Sequence, residues 1–569
     1  MPAASPSSAP PALPVLTGGR YAILPIVALA GLLRLVALDA VPPGINHDEA
    51  ERAVDAWCIL HTGRDFHGQA WPIFFRAYGQ ADYPPGHYIY ALVPFQALFG
   101  TSPVTTRLPA AILGTLNVWW LYALVRRLAS RRVALLAALL LAISPWHVLL
   151  SRMAFEVSLC IPLCTLGLLL LCIAGQRLDG GADRPARARS TLLIAATAGL
   201  VLGITAWGYN AYRVVVPLVL LATAVVHRRR LGAIFRTPAG RHAASAFGIG
   251  LLVGLAPFLY ACIATPDQAW ARASTEILTS RTPTLWAALT EAVRTYFLHL
   301  APEWLFWRGD TNIAQALPDY GQMHLIAAIL VPAGIVRGVL RRRTERLGLL
   351  AIAWVLIGPL PAGATRLYVG HALRAAGMMP GLQILAALGL DLILGCAARR
   401  GRRTAIAAIT ASAIALTASV GHWGRRYFFD YPRMAASAFH ADWAAAIPDV
   451  LARAAEYDRV FLTRQYCGQV GMLLLFYGRV DPETLATQLR IEPGDQWDTI
   501  RGYGNLEFGS LGERLLREPL PPGVYLVLER PQILLPGQVI RMYRYPDGQP
   551  ALVARELRID TPLNRLPDL

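Results

Sequence analysis

The chain has 569 residues, of which 55% are hydrophobic and only 16% charged. Soluble domains carry about 25% charged residues, so this deficit, sustained over such a length, argues against a soluble enzyme and for a membrane protein. All of the 53 Lys and Arg residues are arginine, giving a net charge of +17, and they fall between apolar runs, which fits control of membrane topology rather than nucleic-acid binding. The seven cysteines are scattered or lie within apolar runs without a CxxC pair, which argues against a disulfide scaffold or zinc ribbon.

Residues 1–20, rich in Pro, Ala and Ser, read as a disordered cytoplasmic N-terminus. They lack a charged n-region and a cleavage site, so the first apolar run is expected to stay as a helix. A bilayer core takes about 20 apolar residues per helix. Runs of that kind are Tyr21–Leu38, Leu108–Val125, Val133–Leu150, Val157–Ile173, Thr191–Trp207, Val214–Val226, Ala243–Ile263, His324–Val339, Leu347–Ala362, Met378–Leu394 and Ala405–Val420. Tyr88–Phe99 is shorter and reads as half of a broken helix or a re-entrant segment. The expected fold class is a polytopic α-helical membrane protein of about 11–13 transmembrane helices, followed by a soluble α/β domain.

Arginine placement sets the expected orientation. Clusters at Arg126–Arg132, Arg184–Arg189, Arg228–Arg241, Arg341–Arg346 and Arg399–Arg403 occupy every second connection if Tyr88–Phe99 does not cross. The positive-inside rule puts them in the cytoplasm, with the N-terminus inside and the C-terminus outside. Two outward loops, 39–107 and 264–323, are long, and loops of that length are usually functional. The second holds Trp270, Trp286, Trp304 and Trp307, as an interfacial belt or as substrate contacts. A transmembrane unit over 21–423 thus precedes an extracytoplasmic domain over 427–569. In that domain Asp442–Glu456 reads as a helix, and Arg459–Thr463, Val524–Leu528 and Val539–Tyr543 read as strands.

Four constellations in the outward loops could carry chemistry. In His47-Asp48-Glu49 the two acids could cap the helix that follows, and a carboxylate held rigidly there could also take a proton from a hydroxyl. In Asp82-Tyr83-Pro84-Pro85-Gly86-His87 the tandem prolines stiffen the re-entry and could aim Asp82 or His87 at a substrate. Asp48, Asp82 and His87 could share a divalent metal ion. Arg152 either pairs with Glu156 four residues on or faces a phosphate. His371 and Arg374, with Arg366 nearby, form a second candidate phosphate cluster, because an outward arginine runs against the topology bias.

Together these features resemble the GT-C superfamily of integral membrane glycosyltransferases, most closely its protein O-mannosyltransferase and aminoarabinose transferase branch. Asp48-Glu49 matches the acidic pair of the long first outer loop. Pro84-Pro85 matches the pair before re-entry. Thr106-Arg107-Leu108-Pro109, the stretch from Ser144-Pro145-Trp146 through Ser151-Arg152 to Glu156, Phe306-Trp307-Arg308-Gly309-Asp310 and His371-Ala372-Leu373-Arg374 follow in order. Tyr83 stands where the aminoarabinose branch has a lysine, and the inserted outer domain of the protein mannosyltransferases is not evident.

The resemblance implies inverting transfer from a polyprenyl-phosphate sugar to an acceptor hydroxyl on a protein, lipid or glycan, at the outer face of the membrane. Asp48 would be the general base with Glu49 beside it. Arg374, Arg152, Arg366 and His371 would hold the donor phosphate. Asp82, Tyr83, His87 and Asp310 would meet substrate or a metal. The competing readings are a polytopic transporter, against which the long loops and outer tail argue, and a polysaccharide polymerase or ligase using a lipid-linked donor.

Overall fold

The structure, a computed structural model, describes residues 21–563 apart from 79–81, 180–184, 278–283, 366–369 and 495–497. The N-terminal stretch 1–20 and Arg366 therefore lie outside the described residues.

The membrane part is helical in chain order: α1 Ile23–Leu35, α2 His47–Thr62, α3 His87–Phe99, α4 Pro103–Leu128, α5 Arg131–Ala142, α6 Pro145–Leu150, α7 Glu156–Asp179, α8 Pro185–Gly208, α9 Tyr212–Val226, α10 Arg228–Arg236, α11 Pro238–Ala264, α12 Pro266–Glu276, α13 Leu285–Leu300, α14 Ala327–Leu340, α15 Arg346–Ile357, α16 Leu360–Gly363, α17 Ala372–Ala375, α18 Gly381–Arg400 and α19 Arg402–Arg425. Local chemistry sets the boundaries. Ser102 caps α4 through the Thr105 amide, Pro103 opens its first turn, and Arg126 and Arg127 close it against the helix dipole. Among the described residues seven segments are long and apolar enough to cross a membrane, and three shorter apolar helices accompany them. The protein is a multi-pass membrane protein.

Every apolar run expected to be helical is helical, and two are interrupted at a proline. Val133–Leu150 breaks between α5 and α6, where Ser144 caps a new helix that starts at Pro145. Leu347–Ala362 breaks at Gly358-Pro359 between α15 and α16. In both, proline removes a donor and clashes with the preceding turn, which mean hydropathy does not register. The 13 residues of α3 span about 20 Å, too short to cross.

The helices α8 and α11 meet at close range. A Cβ on Gly250 would sit 2.0 Å from the Ala196 carbonyl oxygen, and one on Gly199 would sit 2.0 Å from that of Phe247. Small residues let the backbones meet where lipid gives no hydrophobic drive for association.

Beyond α20 (Tyr431–Met434) the chain forms a seven-stranded mixed sheet of order β2-β3-β4-β1-β5-β7-β6. The strands are β1 Arg459–Leu462, β2 Leu489–Glu492, β3 Thr499–Tyr503, β4 Leu506–Phe508, β5 Gly523–Glu529, β6 Gln538–Arg544 and β7 Pro550–Ile559. β1 runs parallel to β4 and β5, and the other pairs are antiparallel. The expected helix appears as α21 (Ala441–Arg453), and the three expected strands as β1, β5 and β6. Next come α22 (Val470–Gly478), α23 (Pro482–Gln488) and, on the other face of the sheet, α24 (Leu511–Leu515).

One apolar core joins this domain to the connection between α1 and α3, uniting Ala53 and Val54 of α2 with Leu473 and Phe476 of α22 and Leu462 and Leu526 of the sheet. The Trp57 indole donates to the Val480 carbonyl at 3.2 Å, and Arg76 pairs with Asp498 at 2.5 Å. Gly44 is required at this junction: its φ is +68°, and a Cβ would lie 2.4 Å from the Phe439 carbonyl oxygen.

Gly250→Val is expected to force α8 and α11 apart, costing about 1–3 kcal/mol. Thermal unfolding of the purified chain in detergent would show a lowered midpoint, whereas Gly232→Val, which meets nothing within 4 Å, should leave it unmoved.

Candidate functional site

The head of α2 organises the connection between α1 and α3. Asn46 caps it by accepting from the Asp48 amide at 3.0 Å, and the Glu49 carboxylate reaches back to the Asn46 amide at 3.2 Å. The two adjacent acids then part company. Glu49 is fully buried, and its oxygens accept from Arg107 at 3.1 and 2.9 Å and from the Ala154 amide at 2.9 Å. Arg107 spends its remaining donors on the carbonyls of Leu38, Pro42 and Gly44. A carboxylate with four donors on it has no lone pair to spare for a substrate proton. Glu49 is therefore engaged in holding the loop rather than set to take a substrate proton. The side chain of Asp48 is 42% exposed and lies 3.5 Å from the His47 imidazole.

Around Asp48 the fold gathers charge. Arg52, one turn on, donates to the Asp48 carbonyl and to Glu156 at 2.5 Å, lies 3.7 Å from Glu51 and covers the Phe155 ring. Tyr78 donates to the His47 carbonyl, and His440 of the tail domain faces His47 at 3.4 Å. Burial pushes the Glu51 carboxyl well above the usual carboxylate range; Arg52 opposes that shift, and Asp48, Asp82 and Glu156 add to it. Burial likewise raises Asp55, with Glu51 and Asp65 reinforcing it, and raises Asp65. Glu51 and Asp55, one turn apart on α2, are thus both shifted upward by burial.

Several expected site residues sit elsewhere. Arg152 is fully buried and donates to the carbonyls of Leu33, Val36, Ala37 and Val41 at the end of α1, with its guanidinium over Tyr427 and Phe428. It closes the C-terminus of α1 and is not placed for a phosphate. Its expected partner Glu156 pairs with Arg52 instead. His87 bonds to the Ile204 carbonyl at 3.1 Å and packs edge-on against Trp207. Tyr83 packs in the small apolar cluster of Phe74 and Trp207. The triad of Asp48, Asp82 and His87 is consequently not assembled, and among the described residues no three His, Cys, Asp or Glu side chains gather as metal ligands.

Two separate sequence motifs do meet. The Asp310 carboxylate accepts from the Ala372 amide at 2.6 Å and from the Asn312 amide at 2.8 Å, so it clamps the segment that carries His371 and Arg374. Burial raises its pKa to about 6, while these amides pull the other way. The His371 amide donates to His299 at 2.9 Å. Asp310 thus positions a loop and is not set as a metal ligand, and Arg374 stands half-buried on that loop. Of the four tryptophans in the second long loop, Trp304 packs at 90° on buried Trp146, whereas Trp270, Trp286 and Trp307 are exposed, as a belt would be. Arg52 and Arg107 were not singled out as site residues, although both lie in the loop read as outward and the topology bias applies to them equally.

A helical multi-pass bundle, an acidic helix head between its first helices and a C-terminal sheet domain make a fold shared with solved membrane proteins. Residues 82–260 match the family model described as dolichyl-phosphate-mannose-protein mannosyltransferase. Over nearly its whole length the chain superposes on ArnT from Cupriavidus metallidurans solved with bound undecaprenyl phosphate, covering 94% of this chain and 98% of that one at 14% identity and TM-score 0.56. The apo form of the same protein gives 15% identity and TM-score 0.52 over 94% of this chain and 97% of that one. No curated protein sequence matches the chain. The resemblance carried by the sequence motifs thus holds at the level of fold.

The folded chain keeps the Glu51 proton at pH values where an unfolded carboxyl has lost its own. Stability is therefore expected to fall as pH rises above about 4.5. Glu51→Gln should flatten the dependence of the thermal midpoint on pH; an unchanged slope would contradict the protonated assignment.

Proposed function

We propose that the protein is an inverting glycosyltransferase that moves a sugar from a polyprenyl-phosphate donor to an acceptor hydroxyl at the outer face of the membrane. The observation that carries this reading is the division of labour at the head of α2. Glu49 is consumed by Arg107 and two backbone amides, while Asp48, on the same rigid turn, presents a carboxylate with open access. The shared fold with a protein solved bound to undecaprenyl phosphate supports a lipid-phosphate donor.

In this mechanism Asp48 accepts the proton of the acceptor hydroxyl as its oxygen attacks the anomeric carbon. The carbon–acceptor bond forms on one face, and the bond to the carrier phosphate oxygen breaks on the other. The carrier leaves as a phosphate monoester with more negative charge than the diester donor, so it calls for cationic stabilisation rather than a proton. Arg374, on the loop clamped by Asp310, supplies that charge through a forked guanidinium. Arg52 and Glu51 hold the turn that carries Asp48. By the arginine distribution the α2 head and the sheet domain face outward.

Asp48→Asn is expected to keep fold and donor binding and to lower transfer about 10²-fold or more. Glu49→Ala strands a buried guanidinium and should cost about 3–5 kcal/mol of stability. Turnover with a labelled short-chain donor and unfolding midpoints separate the two, and near-normal turnover of Asp48→Asn would sink the assignment.

For Arg374, donor affinity should fall in the order wild type, Arg374→Lys, Arg374→Ala, since lysine keeps the charge and loses the fork. Equal binding of a short-chain polyprenyl-phosphate sugar by all three proteins would remove the phosphate role.

A further inference from the structure

At the arginine-rich end of the bundle lies a cavity of about 510 Å³, lined by Leu128, Leu168, Val219, Phe247 and Trp354 among other apolar side chains. Its mouth is cationic. Arg230 lines it beside the His227 imidazole, and Arg346 holds the last turn of α9 through the Val226 carbonyl at 3.0 Å. Arg230 pairs with Asp179 at 2.5 Å, and the Asp179 side chain is half exposed.

Over the cavity lies α10, a nine-residue helix with no buried residue. Its Leu231, Ile234 and Phe235 line the cavity, while Arg228, Arg229 and Arg236 are exposed. Apolar residues on one arc and arginines on the rest make a helix that lies in a membrane interface and attracts anionic lipid.

The donor chemistry is at the other end of the bundle. Glu156, which pairs with Arg52 beside Asp48, starts α7, and Asp179, which pairs with Arg230, ends it. That helix of 24 residues separates them by about 35 Å. The cavity therefore does not hold the donor phosphate.

We propose that this cavity is a binding site for an anionic phospholipid of the arginine-side leaflet, one acyl chain filling the apolar space and the head-group phosphate held by Arg230, Arg346 and His227. Apolar walls alone would admit any lipid chain; the cations at the mouth select an anionic head.

Native mass spectrometry of the purified full-length chain tests this with phosphatidylglycerol and phosphatidylcholine of identical chains. The wild type is expected to retain phosphatidylglycerol at least about tenfold more than phosphatidylcholine. The double variant Arg230→Gln, Arg346→Gln should bring the two within about twofold, and Ala222→Trp, which fills the cavity, should lower retention of both. Equal retention of the two lipids by the wild type, which depends on no variant folding, would overturn the proposal. So would retention of phosphatidylglycerol unchanged in a folded double variant, or its full displacement by undecaprenyl phosphate, which would assign the cavity to a carrier tail.

Discussion

The buried ion pair of Arg107 and Glu49 is the constraint on which the region around the head of α2 depends. Burying two charges is expensive, and the cost is offset only when every donor and lone pair finds a partner. Here Arg107 joins α4 to three carbonyls of the α1–α2 connection, and Glu49 adds the Asn46 and Ala154 amides. Four separate stretches of chain are tied at one point. The pair also decides which of two neighbouring carboxylates is available for chemistry, because consecutive side chains on a helix point about 100° apart. If Glu49 faces the core, Asp48 faces out.

Other buried arginines repeat the same device. Arg152 gathers four carbonyls at the end of α1, Arg34 bonds to the carbonyls of Ala142 and Leu141 and to His147, and Arg530 ties Asp442 to the Gln465 and Ala551 carbonyls in the tail domain. A guanidinium has five donors in a fixed fork and suits broken helices, whose ends leave carbonyls unmet. The sheet domain is part of this framework: the Asn46 side chain donates to the Ala438 carbonyl, and the Ile45 amide to that of Phe439. The loop bearing Asp48 is therefore pinned from the membrane side and from the tail.

Much of this was legible in the sequence. Apolar runs located the helices because lipid permits few other structures, and β-branched runs located β1, β5 and β6. What failed had specific causes. The positive-inside argument marks an outward arginine as unusual but is blind to burial, so Arg152 read as a phosphate ligand when it caps a helix. The pairing of Glu156 with Arg52 and not Arg152 depends on where α2 packs, which i,i+4 spacing cannot report. Asp48, Asp82 and His87 looked like a metal set because each lies in one loop, yet α3 carries His87 away to Trp207. The break before Pro145 was readable as a Ser-Pro helix start, had capping been weighed against hydropathy. The link between Asp310 and Ala372 crosses 62 residues and has no sequence signature.

The central claim is that Asp48, released by the Glu49–Arg107 lock, addresses the acceptor hydroxyl. The most direct measurement is a cryo-EM structure of the chain holding an unreactive polyprenyl-phosphate sugar analogue and an acceptor. The account predicts the acceptor oxygen about 3 Å from the Asp48 carboxylate, with the anomeric carbon beyond it and the phosphate on the far side against Arg374. An acceptor oxygen seated on another acidic side chain, with Asp48 turned to solvent, would contradict it.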